Sequence, residues 1–312
     1  MRTPDMSCPL DLTGRTILVT GGAGDIGSAV AKQTARLGAT VIIADNGTSV
    51  NGLGNDPEIV ADVAKRLAEH GSVRGYHCDL TDADQVESMF DSLFGAYGNI
   101  DGVVGAAGTL RVRPIWETTP DDWWNVMNSH ATHTYLVAAA ACRRWYANSA
   151  QRNGSPCCLV NFTAATGLVG RPDLGITHSA AKGAIASMTL ELAHEMYPYD
   201  VSVNAVAAAN VRGRMADHVG AVVTGEDDTF DTSSPDHAGI LTAYLASGDA
   251  AFITGQVFRV MGGLIGRYSP WEVTRSLEKS GFWTIDDIRL GVRRLVGAYP
   301  EYKALQGPYH EF

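Results

Sequence analysis

Along most of the chain, short runs of apolar and β-branched residues alternate with longer segments in which apolar residues recur at helical spacing. The short runs predict strands at 16–20, 40–45, 72–78, 102–107, 158–163, 201–207 and 256–261. The helical stretches between them include 28–38, 59–71, 137–149 and 184–196. Strands that alternate with helices at this spacing are joined by crossover connections and form a parallel sheet covered on both faces. The pattern therefore predicts an α/β fold built on a parallel sheet.

Two segments do not follow this alternation. Residues 46–58 are rich in Gly and Asn and predict a long loop between the second strand and its helix. Residues 264–312 form a C-terminal extension to the domain expected over 1–263, and Thr284 and Asp287 resemble a helix-capping box. Apolar residues follow the box at helical spacing, at Ile285, Ile288, Val292, Leu295 and Val296. We expect this helix to pack on the domain or on a partner subunit, with a solvent-exposed surface role as the alternative.

The composition and charge narrow the class of protein. The 312 residues are 45% hydrophobic and 19% charged, which is apolar enough for a sizeable core. A formal net charge of −10, without a local run of Lys and Arg, argues against a nucleic-acid partner. Residues 1–14 have no apolar core of signal-peptide length and no stretch approaches a membrane span, so we expect no membrane association and a cytoplasmic location.

The five cysteines do not form a recognisable set of ligands or disulfide partners. Their number is odd, and none of their spacings is typical of a metal site or a disulfide framework. Cys157 and Cys158 lead into an apolar run, which favours buried thiols. We therefore expect a reducing compartment and no bound metal.

The first strand leads directly into a glycine-rich turn, TGGAGDIGSAV at 20–30. Glycines between a strand and a helix let backbone N–H groups approach a pyrophosphate, and the helix N-terminus favours its negative charge. The next strand ends in Asp45, at about the 20-residue distance where an acid can bind the hydroxyls of an adenosine ribose. Together these features predict a dinucleotide site. Its candidate residues are Gly21, Gly24, Asp25, Ile26, Gly27 and Asp45.

The order of the motifs resembles the short-chain dehydrogenase/reductase family over residues 12–263. TGGAGDIG is similar to the family's TGxxxGxG loop, CDLTD (78–82) to its adenine-contacting segment, and FITGQVFRVMGG (252–263) to its last strand. The resemblance implies a Rossmann-type, doubly wound parallel sheet in a single domain, and a nicotinamide dinucleotide cofactor. It also adds candidate cofactor-binding residues, namely Asp79, Leu80, Ala106, Ala107, Gly108 and Lys182.

The long loop at 46–58 is similar to that of the dehydrogenase units of multifunctional β-oxidation enzymes, many of which act on acyl-CoA thioesters. This likeness suggests a hydroxyl or ketone substrate, with an acyl-CoA thioester as one candidate. Members of the family commonly assemble through their long helices, so the resemblance also implies a homo- or hetero-oligomer.

Two acidic residues bear on the choice of cofactor. A carboxylate at Asp45 accepts hydrogen bonds from a ribose 2′-hydroxyl and repels a 2′-phosphate, and no Arg or Lys follows it within 46–58. NAD is therefore favoured over NADP. Asp25 stands where the family's loop has its middle glycine, and it could cap the following helix or crowd the pyrophosphate. We favour the cap and expect the dinucleotide to bind.

The family's chemistry uses a Tyr-x-x-x-Lys pair, a Ser and an Asn, and the resemblance implies that most of them are replaced here. In the pentad HSAAK, Lys182 is retained and His178 stands in the place of the tyrosine. The serine position falls on Ala164, or on Ala165 when counted back from the pentad. The asparagine position falls on His130.

Other positions around the expected nicotinamide pocket also depart from the family pattern. Its Pro-Gly pair reads Ala208-Ala209, and its carboxamide-binding Thr is replaced by Gly213. Thr163 lies next to the missing serine but on the opposite face of its strand, whereas Thr166 is less excluded as a hydroxyl donor. The candidate catalytic residues are His178, Lys182, His130 and Thr163.

His178 differs from a tyrosine in its proton chemistry. An imidazole titrates near pH ~6.5 and a phenol near ~10. The ammonium of Lys182 and burial both lower the pKa of an imidazole, so we expect His178 to be neutral at pH 7. A neutral imidazole accepts a proton but donates one poorly. Redox chemistry here should therefore favour alcohol oxidation over ketone reduction.

Three functions remain open from the sequence. The first is an NAD-linked oxidoreductase acting on a small-molecule substrate through a rewired proton relay. The second is a non-catalytic subunit paired with an active homologue. The third is a lyase, isomerase or cyclase that uses His130, His133 and His178 in the inherited pocket.

Overall fold

The computed structural model describes residues 10–152, 154–170, 174–220, 230–269 and 271–296. It divides into two compact units, Met1–Tyr268 and Ser269–Phe312. The first unit ends beyond the expected boundary at Gly263 because one more strand follows that residue. The expected extension is described as far as residue 296, and 297–312 lie outside the described residues.

In the first unit, the described strands form one sheet in the order β3-β2-β1-β4-β5-β6-β7-β8. The strands are β1 (Thr16–Thr20), β2 (Thr40–Asp45), β3 (Val73–His77), β4 (Gly102–Gly105), β5 (Cys157–Thr163), β6 (Val201–Ala208), β7 (Val257–Met261) and β8 (Leu264–Arg267). Neighbouring strands are parallel except for β7 and β8, which pair antiparallel. The predicted parallel sheet is confirmed.

The sequence pattern missed β8. Leu264 and Ile265 are exposed on this short edge strand, so it lacks the continuous apolar run that marks the covered strands. Its pairing depends on the turn after β7, where Gly262 has a φ of 53°. That left-handed conformation is one that glycine adopts without strain.

Helices cover both faces of the sheet. Those described are α1 (Asp25–Arg36), α2 (Pro57–Leu67), α3 (Ala83–Tyr97), α4 (Pro120–Met127), α5 (His133–Ala147), α6 (Ala165–Val169), α7 (Gly175–Met196), α8 (Arg214–His218), α9 (Asp236–Leu245) and α10 (Ile285–Val296). Apolar residues of α1, α2 and α9 pack in the core on one face, and those of α3, α5 and α7 pack on the other. The fold is therefore the expected doubly wound, Rossmann-type α/β sheet.

Polar side chains set where several helices begin. Asp56 accepts a hydrogen bond from the backbone N–H of Glu58 at the start of α2. Thr119 and Asp122 form a reciprocal capping box at the start of α4. In the second unit, Thr284 and Asp287 form the predicted box at the start of α10, with the Thr284 hydroxyl 2.7 Å from Oδ2 of Asp287.

The strand order places a crevice at the carboxyl end of the sheet. From β1 the chain moves outward through β2 and β3, then returns to add β4 on the other side of β1. The connections after β1 and β4 therefore leave in opposite directions. In doubly wound sheets, ligands bind in the crevice opened at such a point.

The described cysteines are free thiols. Cys78, Cys157 and Cys158 are buried free thiols and Cys142 is half-buried, while Cys8 lies outside the described residues. Among the described helices, none combines the length and apolarity needed to cross a membrane.

Candidate active site

The predicted cofactor-binding and catalytic segments meet at this crevice. Thr20 ends β1 and pairs in register with Ala44 of β2 and with Gly105 of β4. Gly105 pairs with Asn161 of β5, two residues before that strand ends at Thr163. The glycine loop, Asp45 and the segment before α6 therefore leave the sheet at one edge.

The loop between β1 and α1 is packed too tightly for side chains. A Cβ on Gly21 would lie 2.4 Å from the backbone N of Ala107, and one on Gly27 would lie 2.2 Å from the carbonyl O of Gly21. Gly24 is the N-cap residue of α1 and has room for only a small group. Bare backbone at the N-terminus of a helix suits an anionic ligand, so the loop fits the pyrophosphate of a dinucleotide.

Asp45 is held rigidly at the end of β2. Its two carboxylate oxygens accept hydrogen bonds from the backbone N–H groups of Ala23 (3.1 Å) and Gly47 (2.8 Å). A carboxylate has about four acceptor sites, so capacity remains for ribose hydroxyls. Asp79, by contrast, is engaged locally, because its Oδ1 accepts from both the N–H and the hydroxyl of Thr81.

The expectation that Asp25 caps α1 is wrong. Gly24 occupies the N-cap position, and no side chain among the described residues caps this helix. The carboxylate of Asp25 instead accepts a hydrogen bond of 2.9 Å from the backbone N–H of Arg214, the first residue of α8. Asp25 therefore joins the glycine-rich loop to a distant segment of the chain.

Two histidines meet at the inner end of the crevice. His130 lies on a π-helical turn (Asn128–Thr132) between α4 and α5, and His178 lies on α7. Their rings meet edge to face, with centroids 5.3 Å apart. The Nδ1 atoms of both rings are fully buried without a hydrogen-bond partner in the part of the chain described.

The ring of His130 is fixed from two sides. Its Nε2 lies 2.8 Å from the carbonyl O of Thr109, and a carbonyl only accepts, so we assign the proton to Nε2. Nδ1 is then left as an acceptor. A Cβ on Gly108 would lie 2.0 Å from Cε1 of this ring, so the imidazole takes the space that any side chain at 108 would need.

Lys182 lies one helical turn after His178 and is buried. Its Nζ donates a hydrogen bond of 2.7 Å to the carbonyl O of Phe162, at the end of β5. Burial lowers the pKa of Lys182 to about 7. Burial, followed by the nearby ammonium of Lys182, lowers the pKa of His178 to about 3. The same causes, with burial again the largest, hold the pKa of His130 well below its usual value.

These pKa values determine the protonation states of His130, His178 and Lys182. At neutral pH both imidazoles are uncharged, as the sequence predicts for His178. Lys182 is the group of the three whose protonation changes near pH 7.

The two threonines near the missing serine have different surroundings. The Thr163 hydroxyl donates a hydrogen bond of 2.7 Å to the carbonyl O of Lys182 and joins β5 to α7. This bond takes the only proton of the hydroxyl, so Thr163 in this arrangement does not also donate to a substrate oxygen. The Thr166 hydroxyl is buried and has no partner among the described residues.

His133 takes no part in the pair formed by His130 and His178. Its Nε2 lies 2.9 Å from the hydroxyl of Thr20, which in turn donates to the carbonyl O of Val104. Burial lowers the pKa of His133 to about 4. This histidine joins α5 to the central strands, which leaves two histidines in the cluster proposed for non-redox chemistry. Within the described residues, no His, Cys, Asp or Glu group is arranged to hold a metal ion.

A polar cavity of about 390 Å³ lies beside the N-terminus of α7. It is lined by Asn51, Arg111, Val112, Arg113, Thr119, Asp121, Asp122 and His218. Arg111 pairs with Asp121 at 2.5 Å and Arg113 with Asp122 at 3.1 Å. The carbonyl O of Arg111 also accepts from the hydroxyl of Thr177, the residue before His178. The long 46–58 loop therefore contributes to a cavity next to the catalytic candidates.

Comparison with known proteins identifies the family. The sequence model of the family described as enoyl-(acyl carrier protein) reductase matches residues 21–265. The chain belongs to the short-chain dehydrogenase/reductase family. It is 31% identical over 282 residues to the hydroxyacyl-CoA dehydrogenase ChsB1 of Mycobacterium tuberculosis, covering 90% of this chain and 87% of that protein. It is 28% identical to the 3-oxoacyl-[acyl-carrier-protein] reductase FabG of Vibrio harveyi, covering 82% of this chain and 99% of that protein.

Solved structures of the family have the same fold. A short chain dehydrogenase from Mycobacterium avium superposes with a TM-score of 0.79 at 28% identity, covering 92% of this chain and 96% of that one. The 3-ketoacyl-(acyl-carrier-protein) reductase from Brucella melitensis, crystallised with NADH, has a TM-score of 0.69 at 22% identity, covering 81% and 99%. The expected short-chain dehydrogenase/reductase fold is confirmed.

Proposed function

We propose that this short-chain dehydrogenase/reductase is an NAD-linked oxidoreductase that oxidises the hydroxyl group of a hydroxyacyl thioester. The observation that carries the proposal is the buried His178–Lys182 pair at the crevice that the glycine loop and Asp45 open. Family membership supports hydride transfer as the reaction class, and the site supplies groups that can take up the proton.

The residues at the loop fit a nicotinamide dinucleotide. The backbone of Gly21 to Gly27 would hold its pyrophosphate, and Asp45 would bind the adenosine ribose. The carboxylate of Asp45 disfavours a 2′-phosphate, which supports NAD over NADP. The bound dinucleotide supplies a hydride acceptor for the substrate carbon.

His178 and Lys182 have different roles in removing the hydroxyl proton. Neutral His178 accepts a hydrogen bond from the substrate hydroxyl and orients it. Lys182, with a pKa of about 7, retains the proton that leaves the oxygen as the carbonyl forms. Above pH 7 Lys182 is neutral and can accept that proton, so oxidation is favoured there. Ketone reduction would need protonated Lys182 as its donor and would be favoured below pH 7, because His178, with a pKa of about 3, is not protonated there.

The substrate class rests on the relatives and on the polar cavity. The Mycobacterium tuberculosis protein is named for hydroxyacyl-CoA and the Vibrio harveyi protein for a 3-oxoacyl group on acyl carrier protein. The cavity beside α7 contains Arg111 and Arg113 and could take the polar part of such a carrier.

A non-catalytic subunit is the second candidate, and a specific observation favours it. Ala164 has no hydroxyl for a substrate oxygen, and Thr163 gives its proton to the backbone of α7. On this alternative the protein binds the dinucleotide and assembles with an active homologue.

One experiment separates the two candidates. NAD binding is measured by calorimetry, and formation of reduced dinucleotide is followed with a short-chain 3-hydroxyacyl-CoA. The oxidoreductase proposal expects turnover that His178→Ala lowers by about 10²-fold or more, because the substrate hydroxyl loses the group that orients it. Ser179→Ala on the same helix is the matched control and should keep its rate. NAD binding without turnover in the wild type would support the non-catalytic subunit.

A further inference from the structure

The start of α8 is bonded to the phosphate loop although 189 residues separate them in sequence. The backbone N–H of Arg214 donates to Oδ2 of Asp25 at 2.9 Å, and its Nε lies 3.9 Å from the same oxygen. Its Nη2 lies 3.5 Å from the carbonyl O of Ala23. The guanidinium of Arg214 therefore lies over the loop between β1 and α1.

The backbone before Arg214 is shaped for this contact. A Cβ on Gly213 would lie 2.4 Å from Oδ2 of Asp25, and Gly213 has a φ of 151°. Glycine alone therefore allows this approach without displacing the carboxylate. A Cβ on Gly24 would lie 3.5 Å from Nη2 of Arg214, so the guanidinium faces the bare backbone of the loop.

The charges explain why an acid is tolerated in this loop. A lone carboxylate in the first turn of α1 would repel a diphosphate, because both groups are negative. Arg214 offsets that charge, and its guanidinium has five N–H donors in a planar fork suited to phosphate oxygens. Its neighbour Arg212 is paired with Asp231 at 2.7 Å and points to a different partner.

We propose that Arg214, held in place by Asp25, binds the diphosphate of the dinucleotide and fixes α8 against the phosphate loop. This inference rests on the proposed function, because it needs a dinucleotide at the loop. In it Arg214 is a ligand-binding residue and Asp25 a positioning residue.

The first test is calorimetry, which measures the binding of two ligands separately. ADP-ribose contains the diphosphate but no nicotinamide ring, and adenosine is the comparison ligand. Arg214→Gln should weaken ADP-ribose binding by about tenfold or more, as expected for a lost charge-assisted phosphate contact. Adenosine, which has no phosphate, should bind this variant as it binds the wild type. Arg212→Gln is the matched control and should bind ADP-ribose normally.

The outcomes separate this inference from the proposed function. If the wild type does not bind ADP-ribose, the proposed function fails. If the wild type binds and Arg214→Gln binds equally well, the role of Arg214 is refuted while the proposed function stands. An equal loss of adenosine binding would also refute it, because the effect would then be a general distortion of the site.

The second test uses Asp25, for which simple charge repulsion and our proposal predict opposite results. Removing a carboxylate beside a diphosphate should tighten binding if repulsion dominates. We expect Asp25→Ala to weaken ADP-ribose binding severalfold, because Arg214 loses the carboxylate that positions it. The double variant should be no weaker than Arg214→Gln alone, since the two residues act through one contact.

Asp25→Asn serves as the conservative variant. Its amide oxygen can still accept from the N–H of Arg214, so it should bind ADP-ribose more tightly than Asp25→Ala. Tighter binding by Asp25→Ala than by the wild type would overturn the positioning role.

Discussion

The buried histidines make the stability of the fold sensitive to mild acid. His130, His133 and His178 are buried, and burial is the largest cause of the lowered pKa at each. In the unfolded chain each imidazole takes up a proton near pH ~6.5. In the folded protein the pKa of His133 is about 4 and that of His178 is about 3, so each imidazole takes up its proton only at a lower pH. Because the unfolded state binds more protons across this window, the free energy of unfolding falls as the pH falls.

The size of the effect follows from the same values. A group that is protonated in only one state changes stability by about 1.4 kcal/mol per pH unit. Between pH 6.5 and 4.5, His133 and His178 should each remove about 2 kcal/mol, allowing for the gradual start of each titration. That is a large part of the stability of a typical domain, about 5–15 kcal/mol.

The assay is urea unfolding of the wild type and of His178→Gln at several pH values across this window. The variant lacks one group that takes up a proton on unfolding, so its stability should fall less steeply by about 1 kcal/mol per pH unit near pH 5.5. His194→Gln, at an exposed position of the same helix, is the matched control and should follow the wild type. If the free energy of unfolding of the wild type and of His178→Gln fell in parallel as the pH fell, the buried, neutral state of His178 would be refuted.

Four further results are expected. Oxidation, measured as kcat/KM against pH, should rise through about pH 7 as Lys182 loses its proton, and a rate that is flat across pH 6–8 would contradict its role as proton acceptor. Gly108→Ala should displace the ring of His130 and lower the free energy of unfolding by about 1–3 kcal/mol, the typical cost of overpacking. Thermal or urea unfolding measures this loss, and an unchanged unfolding midpoint would show that the ring has room to move. Asp45→Asn should narrow the calorimetric preference for NAD over NADP by about tenfold, since it removes the charge that repels a 2′-phosphate, and an unchanged ratio would place the discrimination elsewhere. Thr163→Val should lower stability by about 1–3 kcal/mol, because the carbonyl O of Lys182 loses its buried donor, while a collapse of kcat with stability unchanged would instead indicate contact with substrate.

The local pattern of apolar residues was sufficient to predict most strands of the sheet. The apolar runs placed β1 and β2 at their observed bounds, because both strands are covered on two faces and must be apolar at nearly every position. The glycine loop was also readable, since a strand, a turn without side chains and a helix occur within one short segment. The short edge strand β8 was not, because an exposed strand has no such requirement.

Hydrogen-bond partners were harder to predict than elements. The side chain of Asp25 has the chemistry of a helix cap, yet it bonds to Arg214, whose position depends on the path of the chain through α8. Thr163 and Thr166 have the same hydroxyl, and only the packing of α7 against β5 decides which of them is engaged. His133 follows His130 by less than one helical turn, but its bond to Thr20 draws it to the central strands.

The sequence by itself determined the fold class, the glycine-rich loop between β1 and α1, the position of Asp45 at the end of β2, and the placing of His178 and Lys182 on one face of a helix. Each depends on contacts within a few residues or on a periodicity that burial imposes. Tertiary structure alone decided that His130 meets His178, that burial brings the pKa of Lys182 to about 7, and that Arg214 contacts the glycine-rich loop. These depend on which distant segments share a desolvated space, because a side chain's proton affinity and partners are set by its three-dimensional neighbours.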